Sequence, residues 1–177
     1  MDNDGDPDLL LANGHPDDLI DKRMPGVTYA EPLLLFENVA GKFSNVSRSS
    51  GTVFQGRWNA RGLATVDSDN DGDLDVVTGI NGGAPLILRN DGGNRGRWLG
   101  LTLPAHTGNA RLEWTAGGVT RTRQRSPGGS FLSSHDPREI LGLGAAAGPV
   151  KVRITWANGK VTEKEFTEIG RHVKIIQ

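Results

Sequence analysis

Residues 67–75 read D-S-D-N-D-G-D-L-D, five carboxylates at alternate positions around one glycine, and no other stretch restricts the fold so tightly. The alternation lets Asp67, Asp69 and Asp71 converge on one point, while Gly72 permits a sharp turn, the Asp73 carbonyl adds an oxygen and Asp75 closes the cage. Without a cation, such a loop would hold like charges against one another. Hard oxygen donors in this number suit Ca²⁺ and not Zn²⁺. An EF-hand is excluded, because its twelfth position requires a bidentate Glu and Thr78 stands there. The flanks, GLATV at 62–66 and VVT at 76–78, are rich in β-branched residues, so the loop is expected to join two strands.

A partial copy opens the chain as D-N-D-G-D-P-D at 2–8. Asp2, Asp4, Gly5 and Asp8 fall 67 residues before Asp69, Asp71, Gly72 and Asp75, and Asp6 matches Asp73. The residue matching Asp67 would precede Met1, so the chain is expected to be a fragment whose first loop lacks a ligand and binds metal weakly. Beyond the loops, LLFEN at 34–38 answers LILRN at 86–90. Self-similarity on this scale predicts a repeat architecture.

These residues resemble the FG-GAP (VCBS) repeat family, whose D-x-D-x-D-G-x-x-D loops sit on β-propeller blades of the integrin α type. The entering strand at 59–67 and the outer hairpin at 35–47 resemble it too, so that the resemblance covers residues 1 to 92. It implies structural Ca²⁺ on partial propeller blades. One full unit and part of another are fewer than a closed propeller needs. Missing blades upstream, assembly of copies, or a short open β structure each meet that shortfall.

The second half shows strand patterning of its own. Alternating residues at 112–115 and 119–123 flank Ala116-Gly117-Gly118, and those at 152–156 and 161–166 flank Ala157-Asn158-Gly159, which predicts two hairpins. A final strand is expected at 172–176. Trp98, Trp114, Trp156, Phe131 and Phe166 are candidate core residues of a small β-sandwich. Helical periodicity is confined to single turns at Asp17–Arg23 and Asp136–Glu139, and Gly142–Gly144 is expected to be a turn. The runs RWLGLTL at 97–103, TAGGVTR at 115–121, SPGGSFLS at 126–133, LGLG at 141–144 and ITWANGK at 154–160 resemble the ASPIC/UnbV domain, which the resemblance places at 97–177. That family carries no accepted catalytic residues. At 104–109 the chain is shorter than its relatives tend to be.

The overall net charge of −1 conceals an asymmetry: residues 1–90 hold 14 Asp or Glu against 7 Lys or Arg, and residues 91–177 hold 7 against 13. A boundary is therefore expected near 91–96. Arg121, Arg123 and Arg125 would share one strand face, as a solvated surface that discourages edge pairing, a polyanion site, or a docking face for the acidic half. Nucleic acid recognition is not expected, for no motif accompanies these arginines. No apolar run spans a bilayer, and the absence of cysteine leaves stabilisation to packing and metal.

His15, His106, His135 and His172 are scattered, with no zinc or nucleophile-base spacing. Ser133, His135 and Asp136 are triad residue types, yet neighbours on one turn rarely meet as a triad. The sequence thus points to an all-β, calcium-binding, non-enzymatic recognition or adhesion module that contacts protein or carbohydrate at an extracellular, cell-surface or periplasmic location. An accessory or catalytic piece of a biosynthetic or carbohydrate-active enzyme, and a unit that self-associates through open strand edges, are the alternatives.

Overall fold

Each acidic loop leads into a three-stranded antiparallel sheet in the computed structural model, which describes residues 1–104, 108–126 and 128–176. The first sheet holds β1 (Leu9–Leu11), β2 (Leu34–Val39) and β3 (Lys42–Asn45); the second holds β4 (Ala60–Val66), β5 (Asp75–Ile80) and β6 (Leu86–Leu88). Their registers superimpose. Leu9, Leu10 and Leu11 face Phe36, Leu35 and Leu34, just as Val76, Val77 and Thr78 face Leu88, Ile87 and Leu86. The repeat read from the sequence is therefore a repeat of strand pairing. Among the described residues the one α-helix, α1 (Ile20–Arg23), sits in the insertion between β1 and β2, and short 3-10 turns occur at Ser47–Ser49, Thr52–Gln55 and Gly93–Arg95.

The C-terminal half is a sandwich. β7 (Arg97–Thr102) lies between β10 (Arg138–Gly144) and β13 (His172–Lys174), and this sheet faces the order β12-β11-β8-β9, formed by β8 (Ala110–Ala116), β9 (Val119–Arg125), β11 (Val150–Trp156) and β12 (Val161–Phe166). Leu99, Leu101, Leu141 and Leu143 from one sheet pack on Leu112, Trp114, Val152, Ile154 and Trp156 from the other. Alternate residues of β8 and β11 are buried, as expected of a sheet with one face inward. The chain is all-β, 43% strand against 8% helix.

Strands β7 and β10 depart from that alternation, being buried on both faces. Their outer face carries Trp98, Gly100, Ile140 and Gly142, with Gly142 opposite Trp98 and Ile140 opposite Gly100. Small residues beside large ones leave hollows there; the repeat half fills the one at Gly142, and His172 fills the one at Gly100. Gly142 and Gly144 are thus strand residues and not the turn expected from their spacing. A Cβ at Gly142 would lie 2.9 Å from the Asn3 backbone, and Gly144, at φ +59°, donates its N–H to the Asn3 carbonyl at 2.8 Å.

Other expectations are corrected as well. Phe131 is 67% exposed and does not join the core, because it follows a loop that runs outside the sandwich. Phe166 packs against the core from its edge. The turn expected at Asp136–Glu139 is instead the entry to β10. His106 lies outside the described residues, with its neighbours Ala105 and Thr107 in the 104–109 loop.

Candidate functional site

The second acidic loop turns because Asn70 and Gly72 both take left-handed backbone, φ +62° and +93°. Asn3 and Gly5 repeat this in the first loop at +60° and +99°. Asparagine tolerates that region better than other residues with a side chain, and glycine enters it without steric penalty. The resulting curl brings carboxylate oxygens of Asp67, Asp69 and Asp71 within 4.8 Å of one another, the one such group of three among the described residues. Asp67 is 1% exposed, and its Oδ1 has no hydrogen-bond partner. Three convergent carboxylates, one of which carries a buried, unpartnered oxygen, can hold a hard cation.

Asp73 and Asp75 lie outside that group. Asp73 accepts the Asn94 N–H at 3.1 Å through Oδ2, while its Oδ1 is buried without a partner. Burial pushes its pKa up to about 6, with the neighbouring Asp71 and Asp75 charges adding to the rise. Asp75 accepts from the Ser68 hydroxyl and N–H and from the Asn90 N–H at 2.8 Å. Burial raises its pKa, but these donors outweigh it and hold the carboxyl below the usual range. Asp75 therefore staples the loop to the end of β6.

The first loop keeps the staple. Asp8 accepts the Asn38 N–H at 2.9 Å and meets the Met1 ammonium at the position equivalent to Ser68. Asp6 accepts the Ala40 N–H at 2.9 Å, and Asp4 accepts the Asp6 N–H at 2.8 Å. Asp2 accepts from Asp4 N–H. Asp2, Asp4, Asp6 and Asp8 bring no three carboxylates together among the described residues.

Three contributors to the second loop escape sequence reading. Asn94, in the expected linker, donates Nδ2–H to Asp71 at 2.7 Å. Arg138 donates to the Asp67 carbonyl and to Asn70 Oδ1, each at 2.5 Å, while a forked pair with Asp136 fixes its guanidinium. Burial raises the Asp136 pKa, yet Arg138 outweighs it and keeps the carboxyl low. His172 Nε2 lies 2.8 Å from Asp67 Oδ2 and, facing a carboxylate, is the donor.

The triad residue types have another use. Ser133 Oγ accepts the Leu63 N–H at 2.6 Å, His135 Nδ1 accepts the Thr65 N–H at 3.0 Å, and Asp136 N–H donates to the Thr65 carbonyl at 2.9 Å. They cover the open edge of β4. The arginine face is likewise turned inward: Arg125 is 4% exposed and donates to Gly108, Arg123 lies over the Trp114 ring, and Arg121 donates to the Asp4 carbonyl at 2.9 Å. Of the three readings, docking on the acidic half describes Arg121.

Fold and site together define an all-β protein in which paired acidic turn loops are seated on a β-sandwich. Comparison with known families gives the two parts names: a model described as FG-GAP-like repeat matches residues 1–78, and one described as ASPIC and UnbV matches residues 104–177. The chain therefore joins an FG-GAP-like repeat segment, which implies β-propeller blades, to an ASPIC/UnbV segment. Neither is an enzymatic family. No curated protein matches the chain. Among the described residues, no helix is long and apolar enough to cross a membrane.

Proposed function

We propose that this chain is a calcium-stabilised recognition module that acts outside the cell or in the periplasm, with residues 1–92 and 97–177 as its two parts. The observation that carries the metal reading is the buried, unpartnered Oδ1 of Asp67 within the trio Asp67, Asp69 and Asp71. A buried charged oxygen left without a donor is costly, and Ca²⁺ would satisfy it. Asp67, Asp69 and Asp71 would hold the ion, Asp73 would add its carbonyl, and Asp75 would fix the loop from the far side. The ion's part is structural: it would neutralise crowded carboxylates between two strands.

Recognition is supported by the two family matches and by a cleft of about 590 Å³ between β1, β4 and the 130–142 stretch. Leu10, Leu63 and Leu74 line it with Arg61, Arg123 and Phe131, a mixture suited to a protein or carbohydrate surface. Self-association is the second reading, favoured by exposed Phe43 and Ile87 on β3 and β6 at sheet edges. Light scattering at two concentrations separates the two, since only the second gives a mass that rises with concentration.

Asp71→Ala tests the metal reading. It should lower the melting temperature in millimolar Ca²⁺ and barely change it in chelator; equal losses in both conditions would sink the metal role. Calorimetry of the stripped protein should also show Ca²⁺ preferred over Mg²⁺, because a site built from several protein oxygens suits Ca²⁺, whereas Mg²⁺ sheds its waters reluctantly.

A further inference from the structure

We propose that the ASPIC/UnbV segment completes the cation site of the repeat: His172 and Arg138 hold the second loop in its binding shape, so that metal binding and docking of the two halves are coupled. This rests on the metal reading above and extends it to residues that neither family match assigns to the loop.

The geometry is specific. Asp67 has two carboxylate oxygens with different fates, Oδ2 taking the His172 N–H at 2.8 Å and Oδ1 remaining free. Fixing one oxygen fixes the carboxylate plane and leaves the other for a ligand. His172 is itself held. It lies over Gly100, where a Cβ would come within 2.7 Å of His172 Cε1, and its ring packs on Trp98 at 5.3 Å between centroids with a 58° tilt. Trp98 in turn covers Gly72, so closely that any side chain there would overlap the indole. One aromatic pair from β7 and β13 therefore sets both the turn and the first carboxylate.

Arg138 acts on the backbone. Its donors reach the Asp67 carbonyl and Asn70 Oδ1, which bracket the first half of the loop, and its charge is balanced by Asp136. It positions the trio without competing for it. Outer donors that orient metal ligands contribute about 10- to 100-fold in affinity. Among the described residues of the C-terminal half, none holds a carboxylate of the first loop in this way: Arg121 and Gly144 grip the carbonyls of Asp4 and Asn3.

The test uses the full chain stripped with chelator, titrated with Ca²⁺ by calorimetry. His172→Ala should weaken Ca²⁺ binding about 10- to 100-fold, and His172→Gln, whose amide can donate from the same region, should recover most of it. By the reciprocity of coupled equilibria, Ca²⁺ should slow amide exchange in peptides covering 138–144 and 172–176 of the unmodified protein. That measurement stands even where His172→Ala fails to fold. Equal Ca²⁺ affinity in the unmodified protein and a folded His172→Ala variant, or exchange at 138–144 and 172–176 unchanged by Ca²⁺, would overturn the coupling while leaving the site intact. No binding by the unmodified protein at millimolar Ca²⁺ would remove the site and the coupling with it.

Discussion

Replacing Gly72 by alanine should be among the most damaging single-methyl additions in the chain. At φ +93° the backbone is left-handed, which costs an alanine about 1–2 kcal/mol. The new methyl would also overlap the buried Trp98 indole, and forcing a packed ring aside costs about 1–3 kcal/mol more. Together these give roughly 2–5 kcal/mol, a large share of the 5–15 kcal/mol that typically holds a domain together. Gly79→Ala is the control, because Gly79 is exposed in β5 with no atom within 4 Å of a built Cβ. Urea unfolding followed by far-ultraviolet circular dichroism, in excess Ca²⁺ and in chelator, supplies the free energies. In a Trp98→Ala background the clash disappears, so Gly72→Ala should then cost only its backbone share, with a coupling of about 1–3 kcal/mol. A Gly72→Ala loss no greater than that of Gly79→Ala, or additivity with Trp98→Ala, would refute the packing of the loop on β7.

Metal-free stability should fall as pH rises through about 6, because Asp73 has its carboxyl pushed up to about 6 from 3.8 and is stabilising only while protonated. The full shift corresponds to about 3 kcal/mol, of which about 2 kcal/mol falls between pH 4.5 and 7.5; melts in chelator at those two pH values will measure that part, which should vanish in Asp73→Asn. Asp75 and Asp136 act in the opposite sense, as their lowered pKa values give stability above about pH 4 that is lost in acid. Arg138→Ala should cost about 3 kcal/mol by leaving the largely buried Asp136 without its partner. Arg138→Lys should recover little of this, since an ammonium cannot span Asp136, the Asp67 carbonyl and Asn70 together; denaturation midpoints will decide.

The parts of this molecule legible in the sequence are those governed by local periodicity. Alternation located both hairpins of the sandwich, and the internal repeat marked the two small sheets, in which Leu34–Phe36 and Leu86–Leu88 pair with their partners in equivalent positions. The trio Asp67, Asp69 and Asp71 was legible for the same reason: the convergence of three carboxylates at alternate positions requires only a local curl. Asn94, Arg138 and His172 were not, because each reaches the loop from 23 to 105 residues away and no spacing rule encodes such a contact. Gly142 and Gly144 misled because a glycine that makes room for a neighbouring backbone looks, in sequence, like one that makes a turn. Phe131 misled because an aromatic among β-patterned residues looks like core even where the chain has left the sandwich.

The separation between Asp67 and His172 also imposes an order in time. At a synthesis rate of roughly 5–20 residues per second, Asp67 leaves the ribosome about 5–20 s before the histidine that holds it. Asp4 waits slightly longer for Arg121, 117 residues on. Strand pairing within the two small sheets takes far less time than that. Nascent chains therefore pass through a stage in which the small sheets and their acidic residues are already made and the residues that hold the loops in shape are not, and it is then, not in the finished fold, that those carboxylates are least supported.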